Sequence, residues 1–497
     1  MSVQTPVQTP ISRSSFIKGA GATLALGTAL TCASAAKAAE PSWDKEADIV
    51  VLGCGACGMV AALSAAEAGA SVVAVEKNDT CGGDAYYSHG VVMGNHSRMD
   101  DELGIDVSDE EIFEEANSGW YLMDQPQLDL VQVTIREGGD TLNWLLDHGI
   151  EFDNPEGNFN PTYADLPIFH QMVNWGFGLS PLADQVEQAC DLLTSTRATR
   201  LVQDDAGRVI GVVCQDADGN ELALKANRGV ILATGGYNHN DALVPLWDNR
   251  CEGMPAQGCP TNTGDGLIMA AAAGAAYMSA RAEAPTSCLL DMDSVNYASF
   301  ALPREGAICV GVDGKRFMLE SSELKRINTE MAIEQYVNTK ELGSDFVAFI
   351  CCDCDAIQTT IADGVTVFTD GTLEGLAEQM GVDPQGLAAE VAHYNEMVAN
   401  GKDEDFGKEE GFIALEEGPY FGCRIAPHLN QSCGGLLVDE DSRVLRYRLY
   451  EKGESPTEPI EGLYAGGELV PYSMHYGYAL SHAMSQGRLA VKHALGK

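Results

Sequence analysis

Basic residues are scarce in this chain: 30 lysines and arginines stand against 73 aspartates and glutamates, a net charge of −43 over 497 residues. Such a surplus of negative charge repels phosphate backbones and acidic lipid headgroups, which excludes nucleic acid and anionic membranes as electrostatic partners. Beyond the first forty residues no apolar run approaches the roughly 20 residues needed to cross a bilayer. No CxxCH occurs, which excludes an attached c-type haem, and the 15 cysteines do not follow the spacings of ferredoxin motifs. At 45% apolar content the chain has enough core to stand without a disulfide framework. The cysteines are therefore read first as packing residues. The densest group, Cys351-Cys352-Asp353-Cys354, closes an apolar strand from Phe346 to Ile350. A structural role is favoured there, and an iron–sulfur cluster is the less favoured alternative.

What is present begins with an export signal over residues 1–40. Arg13 and Lys18 flank a polar start, Gly19 to Leu30 is small and apolar, and Ala36-Lys37-Ala38 forms a small-residue cleavage site. Ser12 to Lys18 resembles the twin-arginine consensus used by proteins exported already folded, with Ser14 in place of the second arginine. The expected location is periplasmic or at the cell surface, with an uncleaved membrane anchor as the alternative.

The mature part opens on a nucleotide-binding βαβ unit. Asp48 to Leu52 is a buried-type strand, Gly53-Cys54-Gly55-Ala56-Cys57-Gly58 a glycine loop, Met59 to Ala68 an alanine-rich helix, and Ser71 to Val75 a second strand ending at Glu76. Gly53 permits the tight turn, Gly55 lets backbone approach a pyrophosphate, and Gly58 lets the helix pack on the strand. The helix N-terminus through Ala56 and Cys57 offers amide N–H groups to phosphate, and Glu76 is placed to accept from a ribose hydroxyl. Cys54 and Cys57 are read as small packing residues of this loop. The unit alone leaves NAD and FAD both open. Two further strands end in glycine pairs, at Thr234-Gly235-Gly236 and Gly466-Gly467-Glu468, and Cys81-Gly82-Gly83-Asp84 closely follows Glu76. Such ends mark close approach of a ligand, and several of them far apart in sequence suit one long extended ligand.

These motifs resemble, in order, those of the fumarate reductase/succinate dehydrogenase flavoprotein superfamily, which includes the 3-ketosteroid dehydrogenases. The resemblance rests on Glu76-Lys77, Gly82-Gly83, Ala233-Thr234-Gly235-Gly236, Thr263-Gly264-Asp265-Gly266 and Ala465-Gly466-Gly467-Glu468, and covers roughly residues 45 to 497. It implies an α/β fold: a Rossmann-like FAD-binding domain from residues 45–279 and 432–497, with an α+β capping domain inserted at 280–431. FAD would be held non-covalently, with Lys77, Asp84, Thr234, Asp265, Gly467 and Glu468 joining the loop residues. Gly311 to Phe317 resembles a GKRF hairpin of the cap.

The implied chemistry is hydride transfer between flavin N5 and an activated carbon–carbon double bond. The family's dicarboxylate clamp departs here at four places. Ala284-Pro285-Thr286 stands for His-Pro-Thr, Ser432-Cys433 precedes a glycine pair where histidine is usual, Leu324 occupies the proton donor's position, and Met474 to Gly477 replaces an arginine segment. A dianion buried without such partners is costly, so fumarate is rejected as substrate. Aromatic and neutral groups take its place: Tyr472, His475 and Tyr476, with Gly477 aligning with a glycine whose N–H polarises a ketone in the steroid enzymes. Arg304 is the charged candidate, against a reading as a surface ion pair near Glu305, and His170 is read as packed. The expectation is reduction, or formation, of a C=C bond in a neutral hydrophobic enone, steroid-like among the choices, with a separate electron donor. An enoate reductase for an aromatic monocarboxylate, using Arg304 or Arg326, and a flavin electron carrier without organic substrate are the alternatives.

Overall fold

The computed structural model describes residues 40–116, 128–153, 166–247, 251–278, 286–291, 298–299, 301–320, 344, 346–429, 431–432, 434–447, 458–471 and 478–497. Within it the segment Lys45–Leu52 is the hub of an eight-stranded sheet. It pairs in parallel with Val72–Val75 on one side and with Glu221–Leu232 on the other. Asp191–Leu193 extends the sheet beyond Val72–Val75, and Pro459–Ala465 extends it beyond Glu221–Leu232, both again in parallel. The last of these arrives from the far end of the chain. An antiparallel hairpin, Arg197–Gln203 and Val209–Gln215, rides on Glu221–Leu232.

The reason for an unbroken apolar strand lies in burial on both faces. Val50 and Leu52 point into one core with Val230, Leu232 and Leu463, while Ile49 and Val51 point into the other with Met59, Val60 and Met484. A strand covered on both sides cannot alternate polar with apolar, and each such Ile, Leu or Val contributes about 1.5–3 kcal/mol of burial. The second core is closed by two helices, Ala56–Glu67 and Tyr478–Leu495. They cross closely at Gly487, where a Cβ would stand 2.6 Å from the Cys57 carbonyl oxygen.

A second sheet of five strands is antiparallel, in the order Thr286–Asp291, Tyr420–Leu429, Val347–Cys351, Ile308–Val310, with Val367–Asp370 also on Tyr420–Leu429. It too is covered twice. Phe349 and Cys351 face Ile357 and Met318, whereas Ala348 and Ile350 face Leu376, Leu387 and Tyr394. Arg316 of the GKRF element lies fully buried beneath this sheet, bonded to Glu320 at 2.7 Å and Asp403 at 2.9 Å, with Lys408 Nζ 3.9 Å from Glu320. Two cations and two anions thus neutralise one another in the interior, the arrangement a buried charge requires. Burial lowers the Lys408 ammonium to about 8 against the pull of Glu320. No helix among the described residues is long and apolar enough to cross a membrane.

Candidate functional site

The glycine loop sits where Lys45–Leu52 hands over to helix Ala56–Glu67. Gly53 has φ +93° and a Cβ there would lie 2.3 Å from the Ala233 carbonyl oxygen, so neither the conformation nor the space admits a side chain. At Gly58 a Cβ would fall 1.8 Å from the Gly53 oxygen. By contrast, a Cβ on Gly55 meets only the Gly82 oxygen, at 3.6 Å, and one on Gly83 meets only Gly55. Gly55 pairs with Gly82 in an isolated parallel bridge, and Gly83 follows beside it with only ordinary contacts. The helix that follows has Gly55 as its N-cap, with no side-chain cap and no acid in its first turn, so its leading N–H groups are left to a ligand.

Glu76, almost fully buried, accepts from the Cys54 backbone N–H at 2.8 Å and from Asn78 N–H at 2.9 Å. Its carboxylate thereby ties the glycine loop to the second strand, with further lone pairs left for a hydroxyl. Lys77 does not stand free: its Nζ reaches Thr263 Oγ1 at 3.0 Å and Asp265 Oδ2 at 3.1 Å. Asp265, first residue of helix Asp265–Ala272, is also gripped by Arg197 at 2.7 and 3.1 Å. Burial pushes the Asp265 carboxyl up, but Arg197 and Lys77 outweigh it and hold it below the usual range. In the structure Asp265 thus bonds both Lys77 and Arg197.

A polar knot joins the other glycine pairs. Asp84 accepts from the Cys259 N–H and from Asn262 Nδ2, and the same Asn262 nitrogen lies 3.1 Å from Glu468 Oε2. Ser432 N–H donates to Glu468 Oε1 at 2.6 Å, and Ser432 Oγ donates to Asn238 Oδ1 at 2.9 Å. A Cβ on Gly236 would strike Ser432 Oγ at 2.2 Å and Glu468 at 2.5 Å, so the glycine is needed for the knot to close. Burial, followed by repulsion from Asp84, pushes the Glu468 carboxyl well above its ordinary range, and burial raises Asp84 too. Four buried polar atoms around this knot, Thr234 Oγ1, Asn238 Nδ2, Asn262 Oδ1 and Gln486 Nε2, have no partner among the described residues. Orphaned buried donors and acceptors are costly, and an extended ligand carrying phosphates, hydroxyls and a polar ring satisfies them. The residues present fit FAD.

Gly467 N–H is held by Gln486 Oε1 at 3.0 Å, and Cys57 packs beneath Gly466 and Gly467. Burial pushes the Cys57 thiol up to about 12, in keeping with a packing role. Arg304 pairs with Glu410 at 3.2 Å, not with Glu305, whose carboxylate instead accepts from the Ala356 N–H. His170 is buried with its Nε2 3.3 Å from Asp100. Tyr472, His475, Tyr476 and Gly477 lie outside the described residues, as do Leu324, Arg326, Ala284, Pro285 and Cys433. Among the described residues no three His, Cys, Asp or Glu side chains converge as metal ligands. Sequence reasoning passed over Arg197, Asn238, Asn262 and Gln486, and met Ser432 only as a residue beside the missing histidine. The only signal for them was adjacency: Asn262 precedes the Thr263–Gly266 motif, and Gln486 precedes Gly487.

A family model described as an FAD binding domain matches residues 48–482. A fumarate reductase (cytochrome) of Shewanella frigidimarina is 28% identical, covering 90% of this chain and 76% of the relative. A vinyl phenol reductase of Lactiplantibacillus plantarum is also 28% identical, over 90% of this chain and 96% of the relative. Among solved structures, the 3-ketosteroid-Δ4-(5α)-dehydrogenase of Rhodococcus jostii RHA1, in complex with 4-androstene-3,17-dione, superimposes with a TM-score of 0.68 at 24% identity. That match covers 93% of this chain and 99% of the other, a likeness of fold.

Proposed function

From the premise that the chain belongs to the FAD binding domain family and is an FAD-dependent oxidoreductase of CH–CH bonds, we propose that its substrate is a neutral, hydrophobic molecule. The double bond would be conjugated to a carbonyl, as in an enone, with steroid-like skeletons inside the class. The observation that carries this reading is the partly exposed ion pair of Arg304 with Glu410 at 3.2 Å: the charged candidate among the described residues sits beside an acid that competes with a substrate carboxylate. The sequence adds Ala284 and Met474 to Gly477 where a dicarboxylate clamp would stand. A relative named for vinyl phenol, a neutral alkene, fits the same direction.

Bound FAD supplies two-electron hydride chemistry at the double bond. The chain's own residues supply the rest. The loop Gly53 to Gly58 and the following helix N-terminus receive the pyrophosphate, and Glu76 receives ribose. Gly82, Gly83, Asp84, Thr234, Gly235, Gly236, Asn262, Gly467 and Glu468 line the remainder, with Lys77 fixed by Asp265. Tyr472 or Tyr476 gives a proton to the carbon beside the one reduced, and His475 with the Gly477 N–H polarises the carbonyl. A tyrosine does this without bringing a charge into an apolar site. The signal-like residues 1–40 support export, and a separate protein would deliver the electrons.

The test is anaerobic. The flavin of purified protein is fully reduced, and steroid enones, smaller enones, aromatic enoates and fumarate are added singly while the oxidised flavin absorbance is followed. Reoxidation by a neutral enone class with fumarate inert is the expected result. Rapid reoxidation by fumarate with enones inert would sink the proposal, and reoxidation by aromatic enoates alone would transfer it to the monocarboxylate reading. Arg304→Ala separates these two: enone turnover stays within about twofold, whereas an Arg-held carboxylate would cost about 10-fold or more.

A further inference from the structure

The glycine pair Gly82-Gly83 runs straight into a short 3-10 helix, Gly83–Tyr87, and a second one, Trp175–Leu179, is locked onto it. The Gly176 N–H donates to the Ser88 carbonyl at 3.1 Å, and the Met172 N–H donates to the Gly90 carbonyl at 2.9 Å. Two glycines allow this approach. A Cβ on Gly176 would stand 1.9 Å from the Ala85 carbonyl oxygen, and one on Gly90 would stand 2.3 Å from the Trp175 backbone. The second segment is entered through two consecutive left-handed residues that are not glycine, Asn174 at φ +63° and Trp175 at φ +57°. A bulky residue rarely takes that conformation, and backbone held in it gathers where the direction of a side chain matters.

Each segment contributes one ring to each of two aromatic pairs. Tyr86 and Phe177 lie 4.9 Å apart at 35°, and His89 meets Trp175 edge-on at 5.4 Å. The Tyr86 ring is pressed against the flavin loop itself, since a Cβ on Gly82 would fall 2.4 Å from it. The remaining rings reach the surface: Trp175 is 62% exposed, Phe177 59% and Tyr87 57%. Exposed apolar residues scattered singly need no explanation, but three on two interlocked segments form a patch. No lysine or arginine occurs between Lys77 and Arg98 or between Arg136 and Arg197, so neither segment brings a cation to this patch. Burial lowers the His89 imidazole below its usual value, which leaves that ring uncharged at neutral pH.

We propose that Trp175 and Phe177, with Tyr87, form an aromatic wall beside the flavin loop that binds the ring system of the substrate and selects ring-bearing molecules over acyclic ones of equal reactivity. This rests on the reading of the substrate as a neutral hydrophobic molecule, and narrows it. Aromatic faces hold an unsaturated ring by offset or edge-on packing without any charge, and small-molecule sites are lined mostly by such apolar and aromatic groups. Rings already fixed by a partner lose little freedom when a ligand covers them. A substrate carboxylate would find no cation on either segment, so the wall favours the neutral end of a molecule. These residues touch the ligand and set specificity, and they take no part in proton or hydride transfer.

The test uses FAD-loaded full-length protein and 2-naphthol, a neutral ring probe with no activated double bond, so that binding to the oxidised protein is read calorimetrically and apart from turnover. Trp175→Ala is expected to weaken 2-naphthol about tenfold and Phe177→Ala about threefold, with Trp175→Phe within about threefold of wild type and 1-octanol affinity moved by less than about twofold throughout. In turnover, Trp175→Ala raises KM for a fused-ring enone about tenfold and leaves its kcat, and KM for an acyclic enone, within about twofold. Unchanged 2-naphthol affinity in both alanine variants overturns the proposal, as does an equal loss for 1-octanol. Loss of FAD from Trp175→Ala with normal probe affinity in the loaded fraction assigns the patch to the cofactor and overturns it too. If wild type turned over fumarate alone yet bound 2-naphthol through Trp175, the enone reading would fall and the ring-binding wall would stand. Should an alanine variant fail to fold, hydroxyl-radical footprinting of wild type decides: 2-naphthol shields Trp175 and Phe177 from oxidation, and the absence of shielding refutes the wall.

Discussion

Replacing Glu468 by glutamine removes a titrating group while leaving a side chain of the same shape in the knot with Asp84, Asn262 and Ser432. In the folded protein the Glu468 carboxyl is raised well above its ordinary value of 4.5 by burial and by Asp84. The folded state therefore keeps a proton that the unfolded chain releases. The stabilisation is fully present below pH 4.5 and is lost as pH rises through the folded value. Within that window each pH unit costs about 1.4 kcal/mol. Glutamine does not titrate. It keeps an oxygen for the Ser432 N–H and can donate to Asp84, but its amide opposes the Asn262 Nδ2 that Glu468 accepts at 3.1 Å. That lost hydrogen bond subtracts about 1 kcal/mol at every pH. The variant should thus be slightly less stable than wild type at pH 4.5 and overtake it as pH rises, the difference growing by about 1.4 kcal/mol per unit. Urea unfolding of both proteins from pH 4.5 to 8.5 at fixed ionic strength measures this. Carboxylates with depressed values, such as Asp403 at about 2, drive stability the other way on acidification, but they are common to both proteins and cancel. Parallel stability curves would refute the raised Glu468 carboxyl.

Gly58→Ala places a Cβ 1.8 Å from the Gly53 oxygen, a backbone atom that cannot yield without moving the loop. An overpacking cost of about 1–3 kcal/mol predicts roughly 5- to 150-fold weaker FAD binding, read by flavin content and by titration of the apoprotein; unchanged affinity would mean the loop does not hold the cofactor. Glu320→Ala leaves the fully buried Arg316 with Asp403 alone. Breaking a buried pair from one side costs about 3–5 kcal/mol, visible as a large drop in the urea midpoint, and a shift of under about 1 kcal/mol would show that water enters the network.

The parts of the molecule legible in the sequence are those whose cause is local. The strand Asp48 to Leu52 reads as buried because both of its faces are covered, and Gly53 reads as a turn because φ +93° suits glycine. The polar knot was legible only in fragments. Asp84 and Glu468 each stood beside a glycine pair, but Asn262, which binds both, is 178 residues from the first and 206 from the second. No period or spacing encodes a contact of that range; it follows from the sheet that brings Pro459–Ala465 beside Glu221–Leu232. Asp265 shows the same limit from the other side. Its motif marked it as a cofactor residue, yet its oxygens are taken by Arg197 and Lys77. A motif preserves a position without stating whether the side chain meets the ligand or holds the residue that does. Substrate choice is one step further removed, because it depends on which charges remain unpaired after folding. Arg304 illustrates this: in sequence it is a charged candidate or a surface ion pair near Glu305, and in the fold its acid neighbour is Glu410, at 3.2 Å in a partly exposed ion pair.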